Sequence, residues 1–257
     1  MSYEAILADS HERVGIITLN RPQVLNALNF QIVSELDEAI SEMEDDEDIG
    51  AIVLTGSGDR AFSAGGDIHE NRELPQEELE RHQDIRNGYQ WHLATCTKPI
   101  IGAINGLCYG GATVMATSLD MLVGCERTSF RFLAVSYGQM NATWTLPMTV
   151  GWPMAKELLY SGREMLAEEA HRIGLLNHVV SSEQLMDKAV EIATAIAKNH
   201  PKAVQTIKSM LIQHTGKSWE EMWQGEIDMK KSGFKGLPLD EAFSEFLTRK
   251  GRKPRRP

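Results

Sequence analysis

Short apolar runs rich in β-branched and small residues recur along the first two thirds of the chain, and amphipathic helical patterns lie between them. Val14–Leu19, Gly50–Leu54, Pro99–Ile104 and Met121–Cys125 read as strands. Runs this apolar over five or six residues suit strands buried on both faces. A helix is expected from about Asn29, because Ile32, Leu36 and Ile40 recur at fourfold spacing, and further helices near Gly111 and Pro153. Glu77–Cys96 reads as a long polar helix carrying Tyr89 and Trp91. Strands alternating with helices predict an α/β fold of ββα or βαβ units around a buried sheet system. After Val180 the strands stop. Ser182–Lys198, Pro201–His214, Trp219–Lys231 and Leu239–Lys250 all carry helical patterns.

Composition narrows the function classes. The chain has 26 basic and 36 acidic side chains, a formal net charge of -10, which argues against nucleic-acid or anionic-membrane binding as its main task. Its cysteines, Cys96, Cys108 and Cys125, are three in number and lie in apolar surroundings, as expected of buried, reduced thiols. No Cys-x-x-Cys pair or Cys/His cluster suggests a metal site. The start, Met1-Ser2-Tyr3-Glu4, lacks a signal-peptide pattern, so the cytoplasm is the expected location. Pro99–Leu119 carries no charge, yet Asn105-Gly106 and Gly110-Gly111 break it into strand, turn and helix rather than a membrane span.

Two glycine-rich segments follow strands. In Ala61–Ile68 a small-residue turn exposes backbone N–H groups and admits a ligand close to the chain. In Asn105–Ala112 the Gly111 amide falls at a helix start, where unpaired N–H groups and the helix dipole favour developing negative charge. Two such amides converging from separate loops would form an oxyanion hole. Taken singly, the same glycines suit a tight loop or close helix packing.

With these segments in order, the sequence resembles the crotonase superfamily, the enoyl-CoA hydratase/isomerase family. The resemblance is carried by Ile16–Pro22, Asn26-Ala27-Leu28, Phe62–Ile68, Lys98–Gly106, Gly110-Gly111, Asp120, Phe130, Gly138 and Ala170–Val180. It implies a crotonase-like spiral of ββα units over residues 1–195 and a helical oligomerisation region over 196–257. A homotrimer or a dimer of trimers is implied with it. The implied partner is an acyl-CoA thioester, with coenzyme A as part of the substrate and no permanently bound cofactor. By position, the oxyanion-hole amides would be those of Gly66 and Gly111. Coenzyme A would be bracketed by Val24, Leu25 and Ala27 and by Ala64, Gly65, Asp67 and Ile68.

Hydratases of the family carry two glutamates, and the corresponding positions here are Val114 and Ala134. Paired carboxylates activate water and protonate the α-carbon, so their loss counts against ordinary hydration and against single-glutamate isomerisation. The loop Ser136–Thr145 offers Tyr137, Asn141, Thr143 and Trp144 as substitutes, with Tyr137 and Asn141 the candidate catalytic side chains. His69 and Glu70 are the nearest ionisable pair, while His82 and His92 fit packing or solvated positions better, and Tyr89 and Trp91 on the same helix fit apolar lining of the acyl pocket. The basic end, Lys250–Pro257, suits a frayed tail or a contact with a CoA phosphate. Three readings follow: an acyl-CoA enzyme of non-standard chemistry such as decarboxylation or hydrolysis, a hydratase or isomerase using other acid-base residues, or an inactive acyl-CoA-binding subunit.

Overall fold

The computed structural model describes residues 3–243. The chain divides into two compact units, 1–205 and 206–257. Within the first, β1 (Ile6–His11) and β2 (Val14–Leu19) form a hairpin, followed by α1 (Phe30–Asp45), β3 (Ala51–Gly56), β4 (Ala61–Ser63), α2 (Ile68–Glu73) and α3 (Gln76–Thr95). Then come β5 (Ile100–Ile104), β6 (Leu107–Tyr109), α4 (Gly111–Thr117), β7 (Met121–Cys125), β8 (Ser129–Arg131), α5 (Leu146–Val150) and α6 (Trp152–Ser161). β9 (Glu164–Leu166), α7 (Ala167–Arg172), β10 (His178–Val180) and α8 (Leu185–Ala197) complete the order up to α9 (Pro201–Gln213). The division between the units falls inside α9, beyond the 195/196 boundary read from the sequence, because α8 packs on β2, β3, β5 and β7. In the second unit α10 (Trp219–Ser232) opens on a capping box between Ser218 and Glu221, and α11 (Leu239–Ala242) follows. Most of the expected helix Leu239–Lys250 lies outside the described residues.

The strands form two sheets. The larger has the order β1-β2-β3-β5-β7-β10, and the smaller the order β4-β6-β8-β9. In the larger sheet every pairing after the β1–β2 hairpin is parallel. In the smaller, β4, β6 and β8 are parallel and β9 is antiparallel. Three successive turns of chain thus each place a longer strand in the large sheet (β3, β5, β7) and a three-residue strand in the small one (β4, β6, β8). This is the expected spiral of ββα units. Its consequence for the site is topological: β4 and β6 are parallel neighbours, so the loops leaving their carboxyl ends emerge side by side.

The apolar pattern explains the packing. Every residue of β3 and β5 is buried, and the Pro99–Leu119 stretch folds as strand, strand and helix. One core lies among Ile32, Leu36, Ile40, Phe62, Leu93 and their neighbours; the opposite face of the large sheet is covered by Leu185, Ala189 and Ala193 of α8. Cys96, Cys108 and Cys125 are buried and form no disulfide. Among the described residues no helix is long and apolar enough to cross a membrane.

Two polar clusters fasten α1 to its surroundings. The Glu35 carboxylate accepts hydrogen bonds from the amides of Glu4, Ala5 and Ile6 and from Gln31. Burial acts to raise its pKa, but these donors outweigh it and hold the group below the ordinary glutamate value. His92 on α3 sits between Asp37 (2.6 Å) and Glu44 (2.9 Å) of α1. Here burial would lower the imidazole pKa, and the two carboxylates reverse that and raise it. His92 therefore ties α3 to α1.

Candidate active site

Two distant segments are stitched into one groove ahead of α2. Leu25 and Asn26 both have positive φ (55° and 54°), which turns the chain back on itself before α1. The Ala64 amide donates to the Leu25 carbonyl, the Leu28 amide to the Gly65 carbonyl and the Asp67 amide to the Leu28 carbonyl. Arg21 spans the pair: Nη1 donates to the Ala27 carbonyl and to Asp67 Oδ2, each at 2.9 Å. Asp67 in turn caps α2, accepting from the amides of His69 and Glu70. Burial alone would raise the Asp67 pKa; the Arg21 guanidinium and these amides hold it below the ordinary aspartate range. Val24, Leu25, Ala27, Ala64, Gly65 and Asp67 are thus brought together, and Ile68 begins α2 beside them, 70% exposed.

The second loop closes on the first. Gly65 has φ +92°, and a Cβ there would lie 2.5 Å from the Tyr109 carbonyl oxygen and 2.8 Å from the Gly111 nitrogen. Only glycine permits that approach. Gly110 (φ 54°, ψ -121°) then turns the chain into α4, whose first residue is Gly111. A Cβ on Gly111 would lie 3.4 Å from the Gly66 nitrogen, so the two amides are close neighbours. Among the described hydrogen bonds neither amide donates to a protein acceptor, and the Gly111 amide belongs to the first turn of a helix, where no intrahelical partner exists.

Gly66 and Gly111 line one cavity of about 230 Å³. Leu28, Val33, Val114, Ala134 and Met140 supply its apolar wall, and Gln139 and Asn141 part of its polar one. From α3 come Gln83, Arg86, Tyr89 and Gln90. No Asp, Glu or His is among these residues. A second cavity of about 160 Å³, lined largely by apolar side chains, shares Ala134, Gln139, Met140 and Asn141 with it.

Of the two candidate catalytic side chains, the structure brings Asn141 into the cavity, with its Oδ1 buried and unpartnered. Tyr137 is elsewhere. It ends a short 3₁₀ turn, Leu133–Tyr137, which Gly138 closes in the left-handed region, and it is 68% exposed and lines neither cavity. Thr143 lines the second cavity only, and Trp144 lies 6.1 Å from Trp91, both exposed. Trp91 therefore is not apolar lining of the pocket. His69 is exposed, and Glu70 accepts from the Phe30 amide instead of facing the cavity. His82 stacks on Phe30 at 4.1 Å. Tyr89 does line the cavity, whereas Arg86 carried no expectation from the sequence. The available signal was the polar spacing Gln83–Arg86–Gln90, which puts three side chains on one face of α3.

A sequence model of the enoyl-CoA hydratase/isomerase family matches residues 9–253. The chain belongs to the enoyl-CoA hydratase/isomerase family. Among its relatives are a short-chain-enoyl-CoA hydratase of Clostridium acetobutylicum, 36% identical over 82% of each chain, and a probable enoyl-CoA hydratase of Rhizobium meliloti, 39% identical over 77% of each. An enoyl-CoA hydratase structure from Bacillus anthracis superposes with a TM-score of 0.89 at 27% identity over 98% of both chains. The glycine loops described above lie within the matched residues.

Proposed function

We propose that this family member is an enzyme that holds the carbonyl oxygen of an acyl-CoA thioester between the Gly66 and Gly111 amides and stabilises the enolate formed there. The observation that carries this reading is the pair of unpartnered amides lining one cavity that lacks any carboxylate. Amides fixed by two tight loops need no reorganisation as charge develops on the oxygen, which is the condition under which such donors act most strongly. The groove of Val24–Ala27 and Ala64–Ile68 is the proposed seat of coenzyme A. A homotrimer or dimer of trimers, and a cytoplasmic location, are proposed with it on the family resemblance and sequence pattern.

The positions that correspond to the hydratase glutamates, Val114 and Ala134, both line this cavity. No acid-base pair is therefore at hand to activate water, and a reaction that generates the enolate without a base fits best. Decarboxylation is such a reaction. The bond from the α-carbon to the carboxylate breaks, carbon dioxide leaves, and the electron pair passes through the α-carbon to the thioester oxygen between the two amides. The α-carbon then takes a proton from water. The apolar wall of Val114 and Ala134 would favour a departing carboxylate that loses its charge on becoming carbon dioxide. Hydrolysis at the thioester would draw on the same two amides.

A second reading is enoyl-CoA hydration or isomerisation by other groups, favoured by the names of relatives more than one third identical. Turnover of a panel of malonyl-, methylmalonyl-, crotonyl- and 3-enoyl-CoA, followed by mass spectrometry, separates them. Loss of carbon dioxide from a 2-carboxyacyl-CoA with crotonyl-CoA hydration near background is the expected result. Rapid crotonyl-CoA hydration would establish the second reading instead. Retention of every ester without turnover would leave an acyl-CoA-binding subunit.

A further inference from the structure

An arginine lines the cavity that Gly66 and Gly111 share. Arg86 is three-quarters or more buried, with its side chain 18% exposed, and lines the cavity together with Gln83, Tyr89 and Gln90 of the same helix. Glu70 lies 3.8 Å from Nη2, and the same Glu70 oxygen accepts from the Phe30 amide at 2.9 Å. A guanidinium carries five N–H donors, so it can serve protein partners and a ligand together. Close by, the Tyr89 hydroxyl is fully buried without a hydrogen-bond partner. Buried donors without partners are rare in folded proteins, and one that lines a cavity beside a guanidinium marks the cavity as built for a polar acceptor. An alkyl chain would leave that hydroxyl unsatisfied.

We infer that Arg86 and the Tyr89 hydroxyl select acyl-CoA substrates whose acyl group bears a carboxylate. This rests on the proposed acyl-CoA binding and names the substrate class of that site. The chemistry of the pair fits an oxyanion: the guanidinium offers parallel donors to both carboxylate oxygens. Burial, reinforced by the charge of Asp37, pushes the Tyr89 pKa far up, so its hydroxyl remains a donor at every working pH. Arg86 acts on binding rather than on bond breaking. A charge that disappears on decarboxylation is held more tightly before the transition state than in it, so the guanidinium contributes to selection and not to rate.

The test uses unreactive thioethers of coenzyme A, so that it does not depend on the reaction. S-Carboxyalkyl-CoA compounds of increasing chain length are titrated calorimetrically against S-alkyl-CoA compounds of matching length, with the wild-type chain, Arg86→Gln, Arg86→Lys and Tyr89→Phe. The wild type is expected to bind the best carboxylate compound about 10- to 100-fold more tightly than its alkyl partner, the range for hydrogen bonds to a charged group. Arg86→Gln is expected to abolish that preference, with its thermal unfolding as the check that the variant is folded. Arg86→Lys keeps part of the preference, and Tyr89→Phe reduces it. Equal binding of the two series by the wild type overturns the inference, and so does a preference that survives in Arg86→Gln. Failure of every CoA compound to bind would instead remove the acyl-CoA reading on which the inference rests.

Discussion

Replacing Gly111 with proline is expected to lower kcat/KM roughly 10²–10³-fold, the usual cost of removing one oxyanion-hole donor. The substitution is chosen because the fold accommodates it. Gly111 is the first residue of α4, the helical position proline favours, where the missing N–H is not used by the helix. An added Cβ meets nothing closer than the Gly66 nitrogen at 3.4 Å. The change therefore subtracts the N–H of a residue that lines the cavity without removing a described hydrogen bond that holds the protein together. Kinetics on the ester turned over most rapidly in the panel, with thermal unfolding as the check on folding, gives the answer. A proline variant with unchanged melting temperature and activity within about threefold of wild type would exclude the Gly111 amide from the chemistry.

The largest effect on stability is expected at Asn26. This side chain is fully buried, and it closes the groove from inside. Its Nδ2 donates to the carbonyls of Ser57 and Ala61, both at 3.0 Å, and its Oδ1 accepts from the Arg21 amide at 3.0 Å and from the Ser57 hydroxyl at 3.3 Å. The backbone at Asn26 is in the left-handed region, which asparagine tolerates better than most residues. Asn26→Ala leaves two carbonyls and one amide without a partner, at about 1–3 kcal/mol for each buried group, so a loss of about 4 kcal/mol is expected. For a chain of this size that corresponds to a fall in melting temperature of roughly 8–16 °C. The same change should weaken CoA-ester binding, because Val24–Ala27 is held in place through this residue. A loss below about 1 kcal/mol would mean that the loop is held by something else.

The features that sequence reveals here are those with a period or a backbone requirement. The strands β2, β3, β5 and β7 are legible because burial on both faces demands unbroken apolar runs, and α1 because Ile32, Leu36 and Ile40 repeat on one face. The loops at Gly65 and Gly110 are legible because positive φ and close approach admit little but glycine. Other elements carry no such mark. β1 is an edge strand with five of its six residues exposed, so Asp9, Ser10 and His11 disguise it. β4, β6, β8 and β9 are three residues long, shorter than any window in which a period can be counted.

The site divides in the same way. Its backbone donors were readable from glycines, whereas its side chains depend on which face of α3 turns inward and on how the loop after Phe132 closes. α3 has apolar residues too sparse to show that face, so Arg86 passed as a member of a polar helix and Tyr89 read as apolar lining with no role for its hydroxyl. Tyr137 read as a candidate because it shares the loop Ser136–Thr145 with Asn141, yet the 3₁₀ turn and Gly138 send the two in different directions. Proximity along a loop says little about direction.

Whether two backbone amides receive one thioester oxygen is decided by a crystal structure with bound acetyl-CoA. The thioester carbonyl oxygen is expected about 2.7–3.1 Å from both the Gly66 and the Gly111 nitrogens, the range for productive oxyanion donors. A carbonyl oxygen turned away from both amides, with coenzyme A seated elsewhere than between Val24–Ala27 and Ala64–Ile68, would contradict it.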